Sequence, residues 1–354
     1  MRIAIPKEVK PLEGRIALIP DAVAELVDHG HTVTIQSGAG LASGFGDDDF
    51  RRAGGRIAAN AGATWSAGDL IVKVKEPTEQ EYGLLEAHHR LFSYLHLAAV
   101  PALAEVLRQK KLLAVAFETV EHNGTLPLLA PMSDIAGRLA VQIGATLLHT
   151  PQGGEGVLLG GLPAAPRGNV VVLGAGHAGG NAARMAAALG ASVIVFDRNP
   201  ERLAAMHALG ANVTALYGFR AAIAAAIAAA DLVIGAVLVA GARAPKVVTR
   251  DMVKRMRKGS VIVDIAVDQG GCIETTRATD YTKPTYIEEG VTHFCVTNMP
   301  GAVPRTASQA LSAALAPYVL RLARDDWEQD SALQAGVNVR DGQIVHPAVR
   351  AALI

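Results

Sequence analysis

The chain has 354 residues, half of them hydrophobic, with 36 glycines, only 4% aromatic residues and two cysteines. That length exceeds one ordinary core and predicts two domains, while a composition this apolar excludes a disordered chain and suits close helix–sheet packing. Basic and acidic residues balance at 33 each, so no global field draws the protein to nucleic acid or to an anionic membrane.

The opening MRIAIPKEVK lacks the apolar centre of a secretory signal. Strands and helices then alternate nearly throughout, the pattern of parallel sheets with crossover helices. In the first half RIAIPKE, HTVTIQ, DLIVKVK, LFSYLHL and LLAVAFETV read as strands, with helical stretches near 20–30, 47–54, 79–87 and 101–111. A long helical pattern follows from Ser133 to about Thr150, with Ser133 as its expected N-cap. Residues 151–168, dense in Gly and Pro, read as loop. A second alternating series runs NVVVLG, SVIVFD, NVTAL, DLVIGAV, SVIVDIAV and THFCVTN. Ala221–Ala242 is apolar enough to suggest a membrane span, but Asp231 interrupts it, and a helix followed by a buried strand accounts for it better. After Pro304 the chain reads as helical to about Trp327, then as a strand pair and a last helix. Cys272 and Cys295 have no metal spacing; free, buried roles in a reducing, cytoplasmic setting are expected.

The strongest motif is VVVLGAGHAGGNAARMAAALGASVIVFD, with Gly174, Gly176 and Gly179 in G-x-G-x-x-G spacing. A β-run precedes it, an Ala-rich helix follows, and a second β-run ends in Asp197, near the distance expected of the ribose-binding acid. The first glycine permits the turn, the second lets backbone N–H groups approach a pyrophosphate, and the third lets helix pack on strand. The helix N-terminus favours the diphosphate charge. Asp197 favours NAD over NADP by accepting the ribose hydroxyls and repelling a 2′-phosphate. Arg198 is basic, but strand alternation turns its side chain away.

Elsewhere the residues leave two readings open. His96 in SYLHLAAV, taken alone, fits a core histidine as well as a proton-transfer group. Asp268 is either a turn aspartate or a ligand-facing group past a strand end, Asp264 reads as structural, and Asn298 sits where it can orient a cofactor amide. Arg15 and Lys75 together suit a carboxylate substrate. Glu118 in AFETV reads equally as structural or functional.

Over nearly its full length the chain resembles the bacterial alanine dehydrogenase family. The matching segments are IPKEVK, VKVKEP, YLHLA, PMSDIAGRLA, LGAGHAGGNAA, DIAVDQGGC and HFCVTNMPGAVPRTAS, in the family's order. The resemblance implies reversible oxidative deamination of L-alanine to pyruvate and ammonium with NAD, in a homo-oligomer, usually a hexamer. It implies that Arg15, Lys75, Met132 and Asn298 bind substrate and that His96 and Asp268 transfer protons. It places Ser133, Gly174, Gly176, His177, Ala178, Gly179, Asp197, Arg202, Val237, Leu238, Ile265, Asp268, Val296, Asn298 and Met299 around NAD. Gly218, in LYG, departs from a family pattern with serine near the adenosine. Arg321 and Asp325 stand where some relatives carry residues suggestive of a metal, so no metal is expected. The alternatives are the NAD-binding part of a proton-translocating transhydrogenase and a non-catalytic NAD sensor. His96 with PMSDIAGRL separates the chain from the first, and the presence of Lys75, His96 and Asp268 separates it from the second. The expected architecture is α/β, with two doubly wound parallel-sheet domains. A substrate domain comprises 1–132 plus 305–354, and a Rossmann NAD-binding domain comprises 133–304.

Overall fold

A computed structural model describes residues 1–237 and 244–353. The chain divides into two compact units, Met1–Met132 with Gly301–Ile354, and Ser133–Pro300. The strands are β1 Arg2–Ile5, β2 Thr32–Gln36, β3 Arg56–Ala58, β4 Leu70–Val72, β5 Arg90–Ser93 and β6 Leu113–Ala116, then β7 Asn169–Leu173, β8 Ser192–Asp197, β9 Val213–Tyr217, β10 Leu232–Gly235, β11 Val261–Asp264, β12 Thr285–Glu288 and β13 Val291–Phe294, and finally β14 Val337–Arg340 and β15 Gln343–Ile344.

The first unit holds an eight-stranded sheet in the order β15-β14-β6-β5-β4-β1-β2-β3, and the second a seven-stranded sheet in the order β12-β13-β11-β10-β7-β8-β9. Six strands of each sheet are parallel and follow one order, third, second, first, fourth, fifth, sixth, so both are doubly wound α/β units. The order reverses between β1 and β4 in one sheet and between β7 and β10 in the other, and such switch points are where open α/β sheets bind ligands. Antiparallel β14 and β15 extend the first sheet, and antiparallel β12 edges the second. The central strands VVVL, LVIG and VIVD are buried along their length, as strands covered by helices on both faces must be.

Several boundaries differ from the sequence pattern. The long helix runs Ala130–Leu147, so Ser133 lies inside it and is not its N-cap; Pro131, tolerated in a first turn, lets the helix begin earlier. The run LFSYLHL leaves the sheet after Ser93, so His96 lies beyond the strand with φ +45°. The stretch near 79–87 is a 3₁₀ segment, Glu79–Leu84. Asp264 ends β11 because its carboxylate accepts the N–H of Ala266 and turns the chain into a one-turn helix, Ile265–Gln269. Cys272 and Cys295 are free and buried. Among the described residues no helix is long and apolar enough to cross a membrane.

In the second unit Asp231 accepts the Asn169 N–H at 2.6 Å and pairs with Arg257, whose Nε is 3.3 Å from Glu155. Burial and the neighbouring Asp231 carboxylate push the Glu155 carboxyl up to about 7. The unfolded chain releases this proton near 4.5, so between those values the folded state binds a proton that the unfolded state lacks. Glu155 therefore favours folding at low pH, and its contribution is lost as pH rises through about 7. Glu155→Gln is expected to raise the melting temperature at pH 8 and to flatten its fall between pH 4.5 and about 7, as read by calorimetry across that range.

Candidate active and dinucleotide-binding sites

In the first unit the residues singled out from sequence stand past the carboxyl ends of β1, β4 and β5. Arg15 follows β1 and is 3% exposed. Glu13 holds it side-on, accepting from Nε at 2.7 Å and from Nη2 at 2.5 Å, while Nη1 lies 3.1 Å from Met132 Sδ. This bidentate pairing is what a buried guanidinium requires. Hydrogen bonding and charge from Glu13 outweigh the opposing effect of burial, so the Arg15 pKa stands above its ordinary value.

Lys75 follows β4 and is half-buried. Burial, and then the charge of Arg15, lower its pKa. Its backbone is fixed by Glu8, whose carboxylate accepts the N–H of Val74 at 2.6 Å and that of Lys75 at 3.4 Å. Glu8 faces the fully buried Lys73 at 3.5 Å, and Lys73 also bonds Glu81 at 3.0 Å. Tyr94 is buried and donates to the Leu128 carbonyl at 2.6 Å. Burial pushes the Tyr94 hydroxyl up, and the Arg15 charge opposes this. The His96 ring stacks on Tyr94, with centroids 5.9 Å apart and planes 7° from parallel, and its side chain is 43% exposed. A core role for His96 is thereby excluded. Arg15 meets Met132 directly, Lys75 and Tyr94 both feel the Arg15 charge, and Tyr94 carries His96. Sequence reasoning passed over Glu13, Glu8 and Tyr94, although Tyr94 stood in the YLHLA segment and Glu13 two residues before Arg15.

In the second unit the glycine loop leaves β7 and enters the helix His177–Ala188. Gly174 has φ +95°, and a Cβ there meets the Ala236 carbonyl at 2.6 Å; one at Gly179 meets the Gly174 carbonyl at 1.7 Å. A Cβ on Gly176 meets only Arg202 Nη1, at 3.9 Å, so that approach is open. Gly176 is the N-cap and supplies no side-chain cap, which leaves the first-turn N–H groups to an anion. Asp197 ends β8, and its carboxylate accepts the N–H of Ala175 at 2.6 Å, Arg198 at 2.7 Å and Asn199 at 2.8 Å. Arg202 Nη1 stands 4.0 Å from it. These features fit a dinucleotide: an open loop, uncapped donors and a fixed carboxylate one strand away.

Ser133 is half-buried one turn before Gly137, where a Cβ meets the Ala178 carbonyl at 2.0 Å, so the helix Ala130–Leu147 packs close to the glycine-loop helix. His177 is exposed, with Nδ1 3.4 Å from Asp134. Val237 is half-buried after β10, and Leu238 lies outside the described residues. Ile265 and the exposed Asp268 sit on the one-turn helix after β11. Val296, half-buried Asn298 and buried Met299 follow β13. His96 and Asp268 therefore belong to different units. Among the described residues no three His, Cys, Asp or Glu side chains cluster to hold a metal.

Two doubly wound units, one with a complete dinucleotide loop, define a dinucleotide-binding α/β protein. Residues 4–136 match the N-terminal and 140–347 the C-terminal domain of the alanine dehydrogenase/PNT family, and the chain belongs to that family. It is 47% identical to an alanine dehydrogenase of Halomonas elongata, over 99% of this chain and 96% of that protein. It is 46% identical to one of Bacillus subtilis, over 99% and 94%. Among solved structures, an L-alanine dehydrogenase superimposes with TM-score 0.96 at 52% identity, covering 99% of each chain. A transhydrogenase from Sinorhizobium meliloti superimposes with TM-score 0.84 at 28% identity, covering 98% of this chain and all of that one.

The open space at Gly176 carries a test. Gly176→Ala is expected to keep the melting temperature within about 3 °C of the parent while weakening dinucleotide binding at least about tenfold, measured by calorimetric titration.

Proposed function

We propose that the protein is an NAD-dependent alanine dehydrogenase, catalysing L-alanine + NAD⁺ + water → pyruvate + ammonium + NADH + H⁺. The observation that carries this reading is buried Arg15 beside half-buried Lys75, grouped with a half-exposed histidine in a chain that also holds a dinucleotide loop. Arg15, held rigid by Glu13, grips the substrate carboxylate, and Lys75 holds the oxygen of the keto acid. Met132, against Arg15, borders the methyl side of alanine.

NAD, held at the Gly174–Gly179 loop and by Asp197, supplies the hydride acceptor. The Gly176 and helix N–H groups bind its pyrophosphate. Asp197 receives the ribose hydroxyls and repels a 2′-phosphate, which selects NAD over NADP. Asn298 orients the carboxamide, with Ser133, His177, Ala178, Arg202, Val237, Ile265, Val296 and Met299 lining the remaining surface. Loss of hydride from Cα of the neutral amine leaves an iminium on the substrate. His96 takes a proton from the water that attacks this iminium and returns one to the departing ammonia, with Asp268 as the second proton-transfer group. In this reading Met1–Met132 with the C-terminal segment is the substrate domain, Ser133–Pro300 the NAD domain, and the enzyme a cytoplasmic homohexamer. The two free, buried cysteines support a reducing setting.

Purified protein with L-alanine and NAD is expected to show growing NADH absorbance, and no turnover with any small amino acid defeats the proposal. His96→Ala is expected to lose on the order of 10²- to 10⁴-fold in kcat while still quenching with NADH. Loss of fold instead of turnover contradicts the role given to His96. Asp197→Asn, which keeps an acceptor and removes the charge, is expected to move the NADH-to-NADPH preference by roughly 10- to 100-fold, about 1.4–2.8 kcal/mol. Competitive fluorescence titration with the two cofactors measures it.

A further inference from the structure

We infer that Glu118 is a positioning residue for His96, resting on the proton-transfer role given to that histidine above. β5 and β6 are parallel neighbours whose ladder ends at Ser93 opposite Ala116. Two residues further along β6's continuation, in the one-turn helix Phe117–Thr119, stands Glu118. Two and three residues beyond Ser93 stand Leu95 and His96. The Glu118 carboxylate accepts the Leu95 N–H on both oxygens at 3.2 Å and the His96 N–H on Oε1 at 2.6 Å. It thus takes the place of the carbonyl that another strand residue would have offered.

Capture of two successive N–H groups by one carboxylate bends the chain sharply, and His96 sits at that bend with φ +45°. A non-glycine residue holds this conformation only when its surroundings impose it, at a cost of roughly 1–3 kcal/mol. The turn is closed by the Ala99 N–H on the His96 carbonyl at 2.8 Å. Its effect is to lift the imidazole off the apolar run Tyr94–Leu97, so that Leu95 and Leu97 remain buried while His96 is half-exposed on the face of Tyr94. An extended chain, with its alternating side chains, sets His96 on one face with buried Tyr94 rather than out of the run. Glu118 Oε1 also stands 3.9 Å from His96 Nδ1, so the same carboxylate faces the ring whose position it sets. Its side chain is 15% exposed, which shields the interaction from solvent.

The test uses full-length protein with Glu118→Gln, which keeps the size and removes the charge, and Glu118→Ala, which removes the acceptor. A positioning role predicts that kcat for alanine falls roughly 10- to 100-fold in Glu118→Gln and further in Glu118→Ala. KM for alanine and affinity for NADH are expected to stay within about twofold, since neither variant touches Arg15, Lys75 or the glycine loop. In ¹⁵N-labelled protein the His96 amide proton, downfield because of its charge-assisted bond, is expected to move upfield in both variants. An unchanged kcat, or a fall in kcat with an unmoved His96 amide, overturns the proposal. If the parent protein fails to oxidise alanine, the functional reading falls, while the amide shift still decides whether Glu118 holds His96.

Discussion

A parallel sheet runs out of backbone partners at its carboxyl edge, where each strand turns outward and its next N–H groups face a neighbour that has already left. Buried polar N–H groups must find an acceptor. In three places a carboxylate from the adjacent strand supplies it. Glu8, past β1, takes the Val74 and Lys75 amides past β4. Glu118, past β6, takes Leu95 and His96 past β5. Asp197, ending β8, takes Ala175 past β7, within the glycine loop. The backbone around Lys75, His96 and the dinucleotide loop is held by the same device in each case. The residues proposed to carry the chemistry stand where the ladder ends and these acids finish it.

Burying acids this way has an electrostatic consequence. Desolvation raises the Glu8 carboxyl, with Glu13 and Glu81 adding to the rise and Lys73 opposing it. The buried cations answer the buried anions: Lys73 lies between Glu8 and Glu81, and Arg15 is clasped by Glu13. Removing one partner of such a set leaves an uncompensated buried charge, which is far more damaging than losing the pair. A chain whose formal charge is zero thus carries strong local fields at one edge of the first sheet. Half-buried Lys75 stands among these charges, its pKa pulled down by burial and by Arg15.

What the sequence discloses depends on the range of the interaction. Gly174, Gly176, Gly179 and Asp197 were legible because a loop, a helix start and the next strand end lie within one βαβ unit. The shared order of the two sheets was not legible, because β1 and β4 meet across residues that no local pattern links. β3 and β12 escaped because each is short, lies on a sheet edge and is partly exposed, so neither burial nor alternation marks it. The left-handed turn at His96 was hidden for a related reason: the run around it is apolar, and the carboxylate that bends it lies 22 residues away. Arg15 and Lys75 stood out as types suited to a carboxylate, but the acids that make their burial tolerable did not.

The fold alone does not choose among the activities it supports. A transhydrogenase at 28% identity superimposes over essentially all of this chain, and dipicolinate synthase subunits share the fold at 17–18% identity. Exchange of hydride between two nucleotides calls for no group that moves protons to and from a small substrate. Deamination calls for a carboxylate grip and a proton carrier that water can reach. In the stretch after β1 the first unit carries Glu13 and Arg15. It also accepts an uncommon backbone conformation to bring one histidine out of an apolar run. Neither feature helps a sheet to fold, since a buried guanidinium and a left-handed histidine both weigh against stability. Their presence at the same sheet edge fits the roles proposed for Arg15 and His96 toward a small carboxylate substrate whose chemistry moves protons as well as hydride.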